Sequence, residues 1–168
     1  NKKIEHDDYL IYRKFIKFPT NFVKEFVYLH IDAVDQLAKV YVNKKLVAES
    51  YNGYLPLIVD IKHALVEEDN EIIVIVKDEL NHIYPYGKQR NDRGGMWYTP
   101  VSGIWQNVWL ERVPDTYVEN LIITPDECGV KIKLIANKKT TRNWLQINLD
   151  NGETYEECFE GDEIYVDM

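Results

Sequence analysis

Along Val130-Lys131-Ile132-Lys133-Leu134, apolar and charged side chains alternate without a break. Neighbouring side chains of a strand point to opposite faces, so a period of two fits a half-buried strand and not a helix. Leu145, Ile147 and Leu149 repeat the pattern against Gln146, Asn148 and Asp150, and Asn151-Gly152 then supplies a strong hairpin signal. Antiparallel sheets with one wetted face give this alternation.

The same reading extends over the chain. Runs rich in Val, Ile and Tyr predict strands over 9–15, 25–31, 38–42, 46–49, 57–61, 71–76 and 104–111, then over 118–124, 130–136, 144–149, 153–159 and 163–167. Many short strands divided by turn residues predict an all-β sandwich. Asn43-Lys44-Lys45 reads as a tight connection, and 60–66 is the one place that suits a short helical turn. Pro114 punctuates the chain, which predicts one domain over 1–113 and a second unit over 114–168. That second unit is about half the roughly 100 residues of an immunoglobulin-type sandwich. Strand-like runs stand close to both ends, so the sequence is expected to be part of a longer one.

Composition excludes several classes of function. Twenty Lys and Arg stand against 28 Asp and Glu, a net charge of −8. A non-specific nucleic-acid binder needs the opposite balance to displace counterions. No run approaches the roughly 20 apolar residues of a membrane span. His6, His30, His63 and His82 are scattered without ligand spacing, so neither a metal nor another cofactor is expected. Cys128 and Cys158 do not make a disulfide framework; they are read as free, small apolar residues, which favours the cytoplasm. Glu67-Glu68-Asp69 and Glu156-Glu157 read as solvated faces.

The segment 78–103 is long and polar, yet it carries Tyr84, Tyr86, Trp97 and Tyr98. Loops of this length in compact domains are usually functional or disordered, and the aromatic content argues against disorder. Tyr86, Gln89, Arg90, Asn91, Asp92, Arg93, Trp97 and Tyr98 are the candidate ligand-facing residues. Arg90 and Arg93 have the fork geometry that binds carboxylates, although a solvated loop is the simpler reading of both. Trp105 and Trp109 are four apart on a predicted strand, so they are expected to share one face, with Ile104, Val108 and Leu110 on the other. Packing is the simpler reading for both tryptophans, and a sugar platform is the functional one. Trp144 is expected in the core.

Four stretches together carry a family resemblance. They are Tyr12-Arg13-Lys14-Phe15; the run from Leu29 through Ala33-Val34-Asp35 and Asn52-Gly53-Tyr54 to Ile61; Asn70-Glu71 leading into IIVIVKD; and YPYGKQ followed by MWYTPVSGIWQNVWLERVP. Their order resembles the N-terminal sugar-binding domain of glycoside hydrolase family 2, which includes β-galactosidases, β-glucuronidases and β-mannosidases. The run YVENLIITPD resembles the start of that family's immunoglobulin-like second domain. Two positions depart from the family pattern: Lys44 stands where Gly is usual, and Asn52 replaces the first Gly of a Gly-Gly-Tyr.

The resemblance implies a galactose-binding-like jelly-roll sandwich followed by an incomplete immunoglobulin-like β-sandwich. It further implies a catalytic (β/α)₈ barrel elsewhere in the same polypeptide, since such a barrel needs about 250 residues. Two carboxylates of that barrel, roughly 5–5.5 Å apart, would perform retaining hydrolysis of a carbohydrate substrate, β-galactosidase-like in the first instance. This chain then holds no catalytic residue, and its 78–103 loop approaches the substrate. Two alternatives stay open: a free-standing carbohydrate-binding module, and a protein-interaction module that docks by strand addition. A half sandwich over 114–168 either frays or pairs edge to edge with a second copy.

Overall fold

A computed structural model of the chain describes residues 8–19, 26–92 and 94–167. The chain divides into two compact units, Asn1–Val113 and Pro114–Met168. The architecture is all-β: a jelly-roll sandwich, then strands of an immunoglobulin-like sandwich.

The strands of the first unit are β1 (Tyr9–Lys17), β2 (Phe26–Ile31), β3 (Val34–Asp35), β4 (Leu37–Val42), β5 (Lys45–Ser50), β6 (Leu57–Asp60), β7 (Asp69–Lys77), β8 (Gly103–Ile104) and β9 (Val108–Val113). They form sheets ordered β1-β7-β4-β5 and β6-β2-β9, with β3 paired to β8. A 3₁₀ turn at Lys62–Ala64 lies within the segment that suited a helical turn. Alternation places the core. On β7, Asn70, Ile72, Val74 and Val76 are buried; Ala38, Val40 and Val42 of β4 join them. Val27, Leu29 and Ile31 of β2 meet that layer from the other sheet in one cluster. Burying each such side chain stabilises by about 1.5–3 kcal/mol.

The second unit holds β10 (Val118–Pro125), β11 (Gly129–Ala136), β12 (Arg142–Asn148), β13 (Thr154–Glu160) and β14 (Glu163–Asp167), in sheets β10-β11-β14 and β12-β13. Ile132, Ile164 and Val166 are its buried residues, flanked by Val130, Leu145, Ile147 and Phe159. The β12–β13 hairpin turns through Asp150-Asn151-Gly152, with Gly152 at φ 90° and its amide bonded to the Leu149 carbonyl at 2.9 Å. A third loop residue in a left-handed conformation is the glycine bulge of a three-residue hairpin.

Four expectations are corrected. The run 104–111 is not one strand. It breaks between β8 and β9, where three residues, Trp105 to Asn107, stand opposite two, Asp32 and Ala33. The extra residue resets the period, as a bulge does. Trp105 therefore turns to bond the Gly53 carbonyl at 2.9 Å, while Trp109 stacks on His30 with centroids 3.7 Å apart. Second, β3 is a strand where none was expected. Third, Trp144 is exposed: the period of two puts it with Gln146 and Asn148 on the outer face, opposite Leu145 and Ile147. Fourth, Cys128 and Cys158 are free but exposed, so they are not packing residues.

Candidate functional site

Two-residue strand β3 positions the centre of the site. Asp35 lies there, paired to Gly103, with 4% of its surface exposed. Its Oδ2 accepts a hydrogen bond from Gln89 Nε2 at 3.0 Å. The same Gln89 amide reaches the Tyr86 carbonyl at 2.9 Å and the Tyr54 hydroxyl at 3.4 Å. Gln89 Oε1 accepts from the Val101 amide. One buried side chain thus ties both arms of the 78–103 loop to the sandwich. At the loop's base Asp78 caps the Leu80 amide at 3.0 Å and accepts from Ser102 at 2.7 Å.

Burial pushes the Asp35 carboxyl above the usual carboxylate range; the Gln89 hydrogen bond partly opposes this, and the charge of Asp78 adds to it. Oδ1 of Asp35 is buried and has no hydrogen-bond partner among the described residues. Beside this network a cavity of about 460 Å³ is lined by Asp35, Tyr54, Lys88, Gln89, Tyr98 and Trp105, among others. Tyr54 and Trp105 meet edge to face at 6.2 Å. Two glycines permit close approach here, one to Asp35 and one to Tyr54. A Cβ at Gly53 would stand 2.4 Å from Asp35 Oδ1, and one at Gly87, whose φ is 63°, 2.5 Å from the Tyr54 hydroxyl.

The loop residues singled out from sequence separate into two groups. Gln89 and Tyr98 line the cavity, and Tyr86 gives its carbonyl to Gln89 while its ring stacks on His82 at 4.6 Å. Arg90 lies over the Trp97 ring at 4.7 Å and bonds Asp92 at 2.9 Å, so its guanidinium is already engaged on an exposed rim. Asn91 is exposed, and Arg93 lies outside the described residues. Asp35, Tyr54 and Lys88 were missed as site residues, and for Trp105 packing was the simpler reading beside a sugar platform. Asp35 and Tyr54 did carry a signal, since both fall inside stretches that resemble the family.

Residues 2–106 match the family model described as glycosyl hydrolase 2 galactose-binding domain-like. A β-galactosidase of Thermoanaerobacter pseudethanolicus is 32% identical over 119 residues, which is 69% of this chain and 15% of that protein. A β-glucuronidase of Formosa agariphila is 25% identical over 108 residues, 64% of this chain and 11% of the relative. The chain therefore spans well under a third of the curated relatives it matches. Among solved structures, a Ruminococcus gnavus β-glucuronidase superposes with a TM-score of 0.76 at 19% identity, covering 95% of this chain and 29% of that one. At that identity the likeness carries the fold. The family model's match over most of the first unit and the 32% identity to a family member together show that the chain belongs to glycoside hydrolase family 2.

Proposed function

We propose that this chain is the non-catalytic, substrate-side portion of a retaining β-glycosidase whose catalytic carboxylates lie on a (β/α)₈ barrel in the same polypeptide. Residues 1–113 form its sugar-binding-type domain, and 114–168 begin its immunoglobulin-like domain. The substrate class is β-galactoside, on the strength of the 32% identity to a β-galactosidase. The observation that carries the reading is the pinned loop. Gln89 fixes segment 78–103 to Asp35, so that Arg90, Trp97 and Tyr98 are held outward on a defined frame rather than on a free strap. Holding recognition groups in place before the substrate arrives lowers the ordering cost of binding. The free thiols of Cys128 and Cys158 suit a reducing, cytoplasmic location.

The test is the full-length gene product. It is expected to hydrolyse an aryl β-galactoside faster than the matching glucuronide or mannoside, with retention at the anomeric carbon, whereas this chain alone does not turn over. A gene product of the size of this chain, or turnover by this chain itself, overturns the reading.

A further inference from the structure

We propose that the cleft between β1 and β9 is a docking groove for one more strand, added to the edge of β9 by an extended segment of the same polypeptide outside this chain. That a longer polypeptide exists rests on the glycosidase reading; that a strand position is open rests on the geometry alone. The two sheets of the first unit differ in width. Four strands, β1-β7-β4-β5, stand against three, β6-β2-β9, while β3 and β8 pair only with each other. β5 meets β6 at one end of the sandwich. Counted from that end, β1 has no strand opposite it. A cavity of about 810 Å³ lies between the β1 and β9 edges. Its floor is the core itself, since Leu29, Ile72 and Val74 line it. An apolar sheet face of this kind must be buried against another element.

The edge of β9 is suited to pairing. It is bonded to β2 on one side and, among the described residues, to no strand on the other. Alternate residues of such an edge point their amide and carbonyl outward, unpaired. Proteins blunt open edges with Lys, Pro or a very short strand, and Val108–Val113 is six residues long with no Lys or Pro. Val108 and Leu110 stand opposite Ile31 and Leu29 and so share the core face, yet Val108 is 46% exposed. A segment of about six residues, apolar at alternate positions, satisfies the edge and roofs the core at once. Lys14, opposite Ile72 on the inner face of β1, sets a cation on the facing lip, so the segment carries a carboxylate there. The source is the same polypeptide for two reasons. The chain is 15% of its β-galactosidase relative and 29% of the solved β-glucuronidase, so ample length lies outside it. A tethered segment also meets the groove at an effective concentration of about millimolar, which a separate partner rarely reaches.

The experiment compares this chain with the full-length gene product. Val108→Cys is introduced into both, with Cys128→Ser and Cys158→Ser to remove the exposed native thiols, and the rate of maleimide labelling is measured. Labelling in the full-length product is expected to be at least about tenfold slower than in this chain, at every protein concentration. Hydrogen exchange of the Val108–Val113 amides in the unsubstituted proteins gives the same comparison without a variant, and at least about tenfold slower exchange in the full-length product is expected. Equal labelling and exchange in the two proteins overturns the proposal. So does protection already present in this chain: independent of concentration, it means the chain's own residues fill the groove, and rising with concentration, it means a second copy does. A full-length β-galactosidase with an open groove removes this inference and leaves the proposed function standing. A longer product with a protected groove and no glycosidase activity does the reverse, and a product no longer than this chain overturns both.

Discussion

Lys44 occupies a conformation that its side chain disfavours. Asn43 and Lys44 have φ of 47° and 68°, and Val42 pairs with Lys45, which is a two-residue type I′ hairpin between β4 and β5. Asn tolerates that region, whereas an ordinary L-residue pays about 1–2 kcal/mol for it. Lys44→Gly is therefore expected to raise stability by about 1 kcal/mol, seen as a higher urea midpoint at unchanged slope. This strain was visible in the sequence, because Lys stands where the family usually has Gly. Asp35 is the opposite case. Its folded carboxyl holds a proton more tightly than the unfolded chain does, since burial raises its pKa. The folded state then binds more protons through the window above the ordinary aspartate value of 3.8, and stability falls as pH rises through it. Asp35→Asn removes that dependence. Urea unfolding at several pH values should show the difference between variant and parent shifting toward the variant as pH rises, and a constant difference would contradict the assignment. Nothing in the type of residue 35 announces this role, which depends on distant Gln89, Gly53 and Asp78.

At the scale of elements, the connections are fixed by polar side chains as firmly as the strands are by apolar ones. Asn70, fully buried on β7, accepts from the Val66 amide at 2.8 Å and from Asn43 at 2.7 Å, and donates to the Val66 and Glu68 carbonyls at 2.9 Å. Asn43 in turn donates to the Ala64 carbonyl at 2.8 Å and accepts from the Glu71 amide at 2.9 Å. The β4–β5 turn, the 3₁₀ turn and the start of β7 are thereby one unit. Asn70→Ala would leave several buried groups unmet, and a loss of at least about 2 kcal/mol is expected in chemical denaturation. In the second unit every residue of β10 is exposed, with Leu121, Ile122 and Ile123 at 45–59%. An apolar edge of this kind favours strand-to-strand association. Ile122 is paired with Lys133 and shares its face, away from the Ile132 core. Ile122→Glu should lower concentration-dependent self-association in sedimentation, with stability changed by less than about 0.5 kcal/mol. A wild-type chain that stays monomeric at high concentration would remove the edge-pairing expectation. Trp144 shows how an element can be misread: its size argued for burial, while the period of its own strand argued for the surface, and the period won.

For the molecule as a whole, local pattern and long-range contact divide the work. The chain's alternation specified the strands, because a period of two can bury only one face of a pleated ribbon. Turn chemistry at Asn43-Lys44 and Asn151-Gly152 specified where neighbouring strands reverse, and four quoted stretches carried the family. These are properties of residues close in sequence, so sequence alone determined the all-β class, most strand positions and the membership in family 2. The loop over 78–103 was legible as special, yet its division into a cavity wall and an exposed rim was not. Residues 35, 54, 89 and 105 are brought together only when β3 pairs with β8 and the loop folds back over them. The break after Ile104, the turning of Trp105 to Gly53, and the stranding of one Asp35 oxygen are likewise consequences of packing between distant segments. Local sequence holds the periodicity that selects strands. The tertiary structure alone decided the site, because desolvation and hydrogen-bond supply at Asp35 are set by neighbours up to about seventy residues away along the chain.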